Sequence, residues 1–385
     1  MPYARTEGVP GMTGPRAGQV VTGGRRPPRA VNVRPDASAG SRGRALPCRS
    51  ARISVAAMRR TTLAALTGNR APPAAVRTPA AVMQRFVVQP GFLLAKIDQI
   101  ATVIHRELAC KETLAQAELL ILLATMEHPD QISLARAAGA DTSTTALILD
   151  NLAARKLIRR EANRADRRRS RLQLTAAGRR RAVAAREACA ATEARLLEPL
   201  RATEAAELVR ILRKLGGHPM SAAPPWAPRE LDAAENVLAS SARFLCRRAL
   251  QVCEAQFLVC TGALNLTPRQ YSLLYILNRH PPLSQVGFAR LFGLDPATCA
   301  LIMKNLYGRG LLERTVSPQD RRERLYSLTA AGEAMLGAAQ PLVDKSDRLL
   351  SRLLTKTEHR RLVRHLQEIT RAHIHRLRFP GALFA

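Results

Sequence analysis

The 385-residue chain is short of acids, of aromatic residues and of long apolar runs. Aspartate and glutamate together number 30 against 60 lysines and arginines, giving a formal net charge of +30. A balance so basic favours a polyanionic partner. Aromatics make up 4% of the residues. The longest purely apolar stretch, around Leu119 to Ala124, is far too short to cross a bilayer, so no membrane partner is expected and the chain reads as soluble. Seven cysteines in so long a chain exclude a disulfide scaffold, and 46% hydrophobic residues exclude a chain disordered throughout. There is no glycine-rich phosphate loop, no nucleophile elbow, no paired-carboxylate or HExxH arrangement, so nothing points to an enzyme. The eight histidines show no metal-ligand spacing with cysteines, and no cofactor or metal is expected; His373 and His375 read as a frayed helix end.

The charge is spread along the chain. Residues 1–89 hold fifteen Arg against Glu7 and Asp36, a balance of +13, while residues 90–217 carry +7 and residues 218–385 carry +10. Residues 1–85 are rich in Gly, Pro, Ala and Arg, as in Gly23-Gly24-Arg25-Arg26-Pro27-Pro28, and no helical or strand period persists. Ordering such a segment costs more entropy than its few apolar residues offset, so a disordered basic arm without a site is expected. A transit peptide is an alternative for this Arg-rich leader, as is translation starting at Met58 or Met83. Met58-Arg59-Arg60 loosely matches a twin-Arg signal, but the apolar run Leu63 to Leu66 after it is too short for an export core.

The rest of the chain is a duplication. Asp141–Gly178 aligns with Asp295–Gly332 at an offset of 154, without a gap, with 18 identities in 38 positions. Asp166-Arg167-Arg168 meets Asp320-Arg321-Arg322, and Leu174-Thr175-Ala176-Ala177-Gly178 meets Leu328-Thr329-Ala330-Ala331-Gly332. Upstream, Leu114 set against Leu266 and His128-Pro129 against His280-Pro281 give an offset of 152, which implies two extra residues in the second copy from Pro282 onward. Between the copies, Gly216 to Trp226 has the composition of a linker. The expected organisation is an arm (1–85), a first domain (90–217), a linker (218–228) and a second domain (229–377).

Each copy has a legible order of elements. A first long helix, Phe92–Cys110 or Arg229–Cys260, shows apolar residues at helical spacing. A second helix follows, Leu114–Met126 or Leu266–Asn278. A short third helix, Ser133–Ala138 or Ser284–Phe292, ends at Gly139 or Gly293, the residue type suited to a left-handed cap. Asp141 or Asp295 is placed to N-cap the next helix, which runs to about Arg155 or Arg309. Leu157–Glu161 with Leu172–Thr175, and Leu311–Val316 with Leu325–Thr329, read as short strands around polar loops. Long helices close each copy, broken near Pro199 and near Thr355. The fold class expected is mainly α with small β wings, in two tandem winged helix-turn-helix domains.

The wing signature, Asp-Arg-Arg running to Leu-Thr-Ala-Ala-Gly, and the upstream passage Asn-Leu-x-x-Arg-x-Leu occur in both copies. They resemble the MarR-type (multiple antibiotic resistance regulator) transcription factors over about residues 90–217 and 229–373. The resemblance implies a cytoplasmic, sequence-specific regulator of transcription that binds double-stranded DNA, more often a repressor than an activator. It also implies dimerisation through the first and last helices; with both halves in one chain, an intramolecular pseudo-dimer on an asymmetric site is expected, and a homodimer of whole chains remains open. A small aromatic effector between the dimerisation and DNA-binding parts is a further implication.

In a helix-turn-helix the N-terminal side chains of the second helix read base edges in the major groove. Those positions are Thr142, Ser143 and Thr144, with Asn151 further on, and Ala297, Thr298, Lys304 and Asn305. Serine and threonine there are also simply good helix starters. Leu147 and Leu301 stand where many family members place an arginine, which favours contact with a thymine methyl. The wing arginines, Arg167, Arg168, Arg169 and Arg171 with Arg321, Arg322 and Arg324, are candidates for the minor groove; a solvated basic loop is the plainer reading. By the resemblance, Asp166 and Asp320 hold the wings by pairing with an arginine. Arg155, Arg309, Arg160 and Arg314 are candidate phosphate clamps. Cys246, Cys253 and Cys260 recur every seven residues on one helix face, a possible redox sensor or three small buried hydrophobes. A sequence-independent architectural DNA binder is the rival reading, for which the charge and the arm suffice.

Overall fold

The computed structural model describes residues 78–162, 170–217, 236–280, 282–379 and 383–384. The wing tip holding Asp166, Arg167, Arg168 and Arg169, most of the arm and the linker fall outside them. The first copy runs α1 (Pro79–Met83), α2 (Pro90–Glu107), α3 (Leu114–Thr125), α4 (Gln131–Ala138), α5 (Thr142–Ala154), β1 (Ile158–Ala162), β2 (Ser170–Leu174), α6 (Ala176–Leu197) and α7 (Ala202–Gly216). The second runs α8 (Ala242–Thr261), α9 (Pro268–Arg279), β3 (Leu283–Ser284), α10 (Gln285–Phe292), α11 (Pro296–Gly308), β4 (Leu312–Val316), β5 (Arg324–Leu328), α12 (Ala330–Ser351) and α13 (Lys356–Ala372). Among the described residues no single helix is long and apolar enough to cross a membrane.

The N-caps fix the register of the repeat. Thr113 and Thr267 open α3 and α9 with the same capping box, formed with Gln116 and Gln270. Asp130 and Ser284 cap α4 and α10, Asp141 and Asp295 cap α5 and α11, and Thr175 and Thr329 cap α6 and α12. Every pair lies 154 residues apart, so the expected two-residue insertion near Pro282 does not exist. The matched letters at 152 were coincidental: a shift of two residues rotates a helix by about 200° and would turn its buried face outward. At 154, Leu119, Leu120 and Leu123 meet Leu273, Leu274 and Leu277, and all six are buried.

Three other expectations change. The arm does not extend to residue 85: Thr78 caps α1, and Val82, Met83 and Phe86 are core residues. The second copy's first helix begins at Ala242 rather than Arg229, after a 3-10 turn at Val237–Ser240. Each wing also has a partner that sequence did not reveal. β3 pairs antiparallel with β5 (Leu283↔Tyr326), on the side opposite β4 (Leu312↔Leu328 to Val316↔Arg324). In the first copy β1 pairs β2 from Ile158↔Leu174 to Ala162↔Ser170, and the same extra place is taken by the Leu172 amide donating to Pro129 O at 2.9 Å.

The repeated Leu-Thr-Ala-Ala-Gly has a steric cause. The Thr175 hydroxyl accepts from the Gly178 amide at 3.0 Å, and the Thr175 amide donates to Leu157 O at 3.0 Å. This draws the start of α6 onto the strand entry so closely that a Cβ on Gly178 would lie 1.9 Å from Leu157 O; on Gly332 it would lie 2.1 Å from Leu311 O. Only glycine fits either place.

The two copies share one core. α2 packs across α8, α7 lies on α8, and α13 lies on α2, so the last helix of each copy covers the first helix of the other. Leu93, Ile97, Ile100 and Ile104 of α2, Leu245 and Val252 of α8, Ile211 and Leu212 of α7, and Leu366 and Ile369 of α13 are all buried in one contiguous cluster. Each such side chain contributes about 1.5–3 kcal/mol on burial. Polar ties run between copies too: Glu358 accepts from Arg210 at 2.7 Å and Lys214 at 2.6 Å, and Glu193 caps α8 by accepting from the Ala242 amide at 2.8 Å.

Candidate nucleic-acid interface and the adjoining cavity

α4–α5 and α10–α11 are the two helix-turn-helix pairs, each turning at a left-handed glycine, Gly139 (φ 59°) and Gly293 (φ 68°). Asp141 accepts from the Thr144 amide at 2.7 Å and Asp295 from the Thr298 amide at 2.9 Å. Hydrogen bonds from these threonines hold both aspartates below the usual carboxylate range. The positive helix ends are thereby aimed outward with a charged cap in place. Thr142, Ser143, Thr144 and Ala297 are exposed and Thr298 is half-buried, its hydroxyl turned back onto Asp295. Leu147 and Leu301 are 71% and 69% exposed, an unusual position for leucine on a helix otherwise packed by Leu149 and Leu152 or Ile302 and Leu306.

The equivalent Asn151 and Asn305 are exposed but already engaged: their Oδ1 atoms accept from Gln116 at 3.0 Å and Gln270 at 2.9 Å. They brace each recognition helix against the helix before it. Arg155 is not a free phosphate clamp, because its guanidinium meets the buried Glu112 at 2.8 Å, which also receives Arg181. Arg309 likewise donates to Leu264 O at 3.0 Å and Asn265 O at 2.8 Å. Both arginines staple α5 or α11 to the preceding loop, an assignment opposite to the one expected from sequence.

The two faces differ in charge. In the first copy the exposed Arg160 is paired with Asp150 at 2.5 Å, which offsets part of its attraction for an anion. In the second, the position of Asp150 is the exposed Lys304, and Arg314 stacks on the Tyr307 ring at 5.0 Å. Tyr307 was not singled out from sequence.

The described wing is built differently from the expectation. Asp320 Oδ1 accepts from the Arg322 amide at 2.8 Å and Asp320 O from the Glu323 amide at 2.9 Å. No arginine side chain pairs with Asp320 among the described residues; a tight turn brings amides, not a guanidinium, within its short reach. Arg321, Arg322 and Arg324 are exposed and no acid pairs with them among the described residues, while Arg324 donates to Arg321 O at 2.8 Å. Arg171 lies in β2 opposite Glu161.

Each helix-turn-helix is fastened by the other copy. Asn236, Arg247 and Gln251 donate to the last carbonyls of α4: Ala137 O at 2.8 Å, Ala138 O at 2.8 Å and Gly139 O at 2.6 Å. Arg243 and Arg247 also grip the buried Glu118, at 2.6 Å and 2.5 Å. In the second copy one side chain from α2, Lys96, donates to Phe292 O at 2.7 Å and Gly293 O at 3.0 Å. A lysine inside the apolar stripe Leu93-Leu94-x-Lys96-Ile97 was the available signal for it.

Beside Lys96 lies a cavity of about 420 Å3, between the α2, α8 and α12 helices and the start of α9, lined among others by Phe92, Phe257, Tyr271, Phe292 and Asp347. Of the sequence's cysteine triad, Cys253 touches this cavity. Burial pushes its thiol up to about 12, and that of Cys246 higher still. Neither environment favours a reactive thiolate. Cys260 is half-buried, with Gln256 donating to its sulfur at 3.4 Å.

Comparison with known proteins agrees with this geometry. The description MarR family matches residues 113–170 and again 266–323. Transcriptional regulator HosA of Escherichia coli O111:H- is 35% identical over 83 residues, 22% of this chain and 62% of that protein. A putative transcriptional regulatory protein for the hcr operon of Thauera aromatica is 28% identical over 148 residues, covering 37% of this chain and 89% of the relative. A solved structure of a probable transcriptional regulator from Pseudomonas aeruginosa is 33% identical, with 30% of this chain and 87% of that one aligned and a TM-score of 0.29. The chain is a mostly helical winged helix-turn-helix protein in which the MarR family domain is matched twice in succession.

Proposed function

We propose that the protein is a cytoplasmic, sequence-specific DNA-binding regulator of transcription, a repressor, whose two halves act as an intramolecular pseudo-dimer. The observation that carries this reading is the exposed start of α5 and of α11, each capped by an aspartate and each seated on a bundle to which both copies contribute. The two MarR family matches support the DNA partner, and relatives of the chain are named as transcriptional regulators. The contrast between the Asp150–Arg160 pair and Lys304, which has no acidic partner among the described residues, supports an asymmetric site, with the second half the more strongly attracted to phosphates. The aromatic cavity beside Lys96 supports a small aromatic effector, and no catalytic arrangement is invoked.

The test is binding of the purified full chain to its own upstream DNA and to a scrambled duplex, at moderate and high salt, with the mass of the complex measured in parallel. The expected result is a preference that survives the salt, from one chain per site. Equal affinity for both duplexes, fading together as salt rises, would instead identify an architectural binder held by phosphates alone.

A further inference from the structure

We propose that Lys96 is a carbonyl-capture site: its amine forms a reversible imine with a small aromatic aldehyde in the adjoining cavity, and the imine unfastens the second helix-turn-helix. The regulatory half of this statement rests on the DNA-binding reading above; the capture does not.

Four observations carry it. Lys96 is 1% exposed to solvent overall and is one of the residues lining the 420 Å3 cavity, so a small movement of its side chain brings its amine to a ligand held there. No carboxylate pairs with it among the described residues; its surroundings are the rings of Phe92 and Phe292, at 4.9 Å and 5.4 Å, and two carbonyl oxygens. An ammonium so placed gives up its proton readily, and burial, helped by nearby Arg269, brings its pKa down to about 7. A desolvated lysine of this kind is the usual form of an amine nucleophile. The aromatic lining selects a flat ring, and the volume admits a small one.

The step balances without an oxidant or reductant. The neutral amine adds its lone pair to the aldehyde carbon, a proton passes from nitrogen to oxygen, and the carbinolamine loses water to leave a C=N bond. Glu254 and Asp347, whose carboxyls are raised by burial, line the same cavity.

The consequence follows from counting donors. An ammonium has three N–H groups, and two of them reach Phe292 O and Gly293 O, the end of α10. An imine nitrogen has none and a protonated one has a single N–H, so at least one carbonyl loses its partner. The first copy cannot respond alike, because the position matching Lys96 is Leu250 and its helix end is held by Arg247, Gln251 and Asn236. Capture is therefore limited to one aldehyde per chain, acting on one half.

The experiment exposes the full chain to benzaldehyde with cyanoborohydride, which fixes an imine as a benzylamine, and maps the adduct by peptide mass spectrometry. The expected result is one benzyl group per chain, on Lys96, formed well before any appears on Lys111, Lys156, Lys214, Lys304, Lys345 or Lys356. An adduct spread evenly over the lysines, or absent from Lys96, overturns the proposal. Benzaldehyde, but not benzyl alcohol, should weaken binding to upstream DNA about tenfold or more. The Lys96→Arg variant, checked for folding by circular dichroism, should carry no adduct and show no response, whatever its starting affinity. An adduct on Lys96 without loss of binding overturns the unfastening while leaving the capture. If the unmodified chain shows no sequence preference, the regulator reading fails and the adduct map still decides the chemistry.

Discussion

Replacing Glu118 with glutamine tests how the copies hold each other. The Glu118 carboxylate is 3% exposed and receives two guanidiniums from α8, one of which, Arg243, is itself 5% exposed. Burial alone would raise this carboxyl's pKa, but Arg247 and Arg243 outweigh it and hold it below the ordinary 4.5. Glutamine keeps the shape and one acceptor but leaves a buried positive charge uncompensated, and the Arg243 Nε already lacks a partner. Breaking a buried pair in this way costs about 3–5 kcal/mol. With an m-value of about 3 kcal/mol per molar urea, the midpoint falls by roughly 1 M or more.

The assay is urea unfolding followed by far-ultraviolet circular dichroism, for wild type, Glu118→Gln, and Glu118→Leu combined with Arg243→Met. The apolar pair should recover most of the loss, since it removes the stranded charge along with its partner. The pH dependence has a definite sign. A carboxyl lowered on folding contributes in full above its unfolded pKa, and its contribution fades as pH falls through the folded value. The gap between wild type and Glu118→Gln should thus be constant near neutrality and close below about pH 4.5. A cost under 1 kcal/mol, or a double variant no better than the single, would refute the reasoning.

Three further outcomes are expected. Lys156 adopts φ 58° where the second copy has Gly310 at φ 71°, so Lys156→Gly should stabilise the first copy by about 1 kcal/mol, read as a higher melting temperature. Gly332→Ala should do the reverse, loosening the second wing, since its Cβ would strike Leu311 O; protease sensitivity at the β4–β5 hairpin reports it. Asp150→Ala should free Arg160, strengthening DNA binding and steepening its salt dependence by about one phosphate, while unchanged salt slopes would show that this arginine faces no phosphate.

What the sequence disclosed is what a few consecutive residues decide. Asp141 and Asp295 cap their own helices within three residues, so their roles were legible, as were the wings and the breaks in the closing helices; Thr175 and Thr329, expected as strand ends, are caps of the same kind. The repeat offset upstream was misread because identical letters outweighed the caps, although Thr113-x-x-Gln116 and Thr267-x-x-Gln270 spelled the right register. Arg155 and Arg309 misled because a basic residue near a recognition helix looks the same whether it faces a phosphate or a loop carbonyl. Glu118 and Arg243 lie 125 residues apart in sequence, and nothing local announces their meeting.

The exchange of closing helices between the copies has a consequence for how such a chain can change over generations. In an assembly of identical subunits every substitution is made twice, so both reading surfaces are bound to stay alike. Here Asp150 and Lys304, or Lys96 and Leu250, are separate positions of one gene, free to drift apart. The pairing of the halves also has no dilution limit, since the partner is always on the same polypeptide. Under the single-chain regulator proposed above, occupancy of a DNA site would rise with the first power of concentration, down to a few copies per cell.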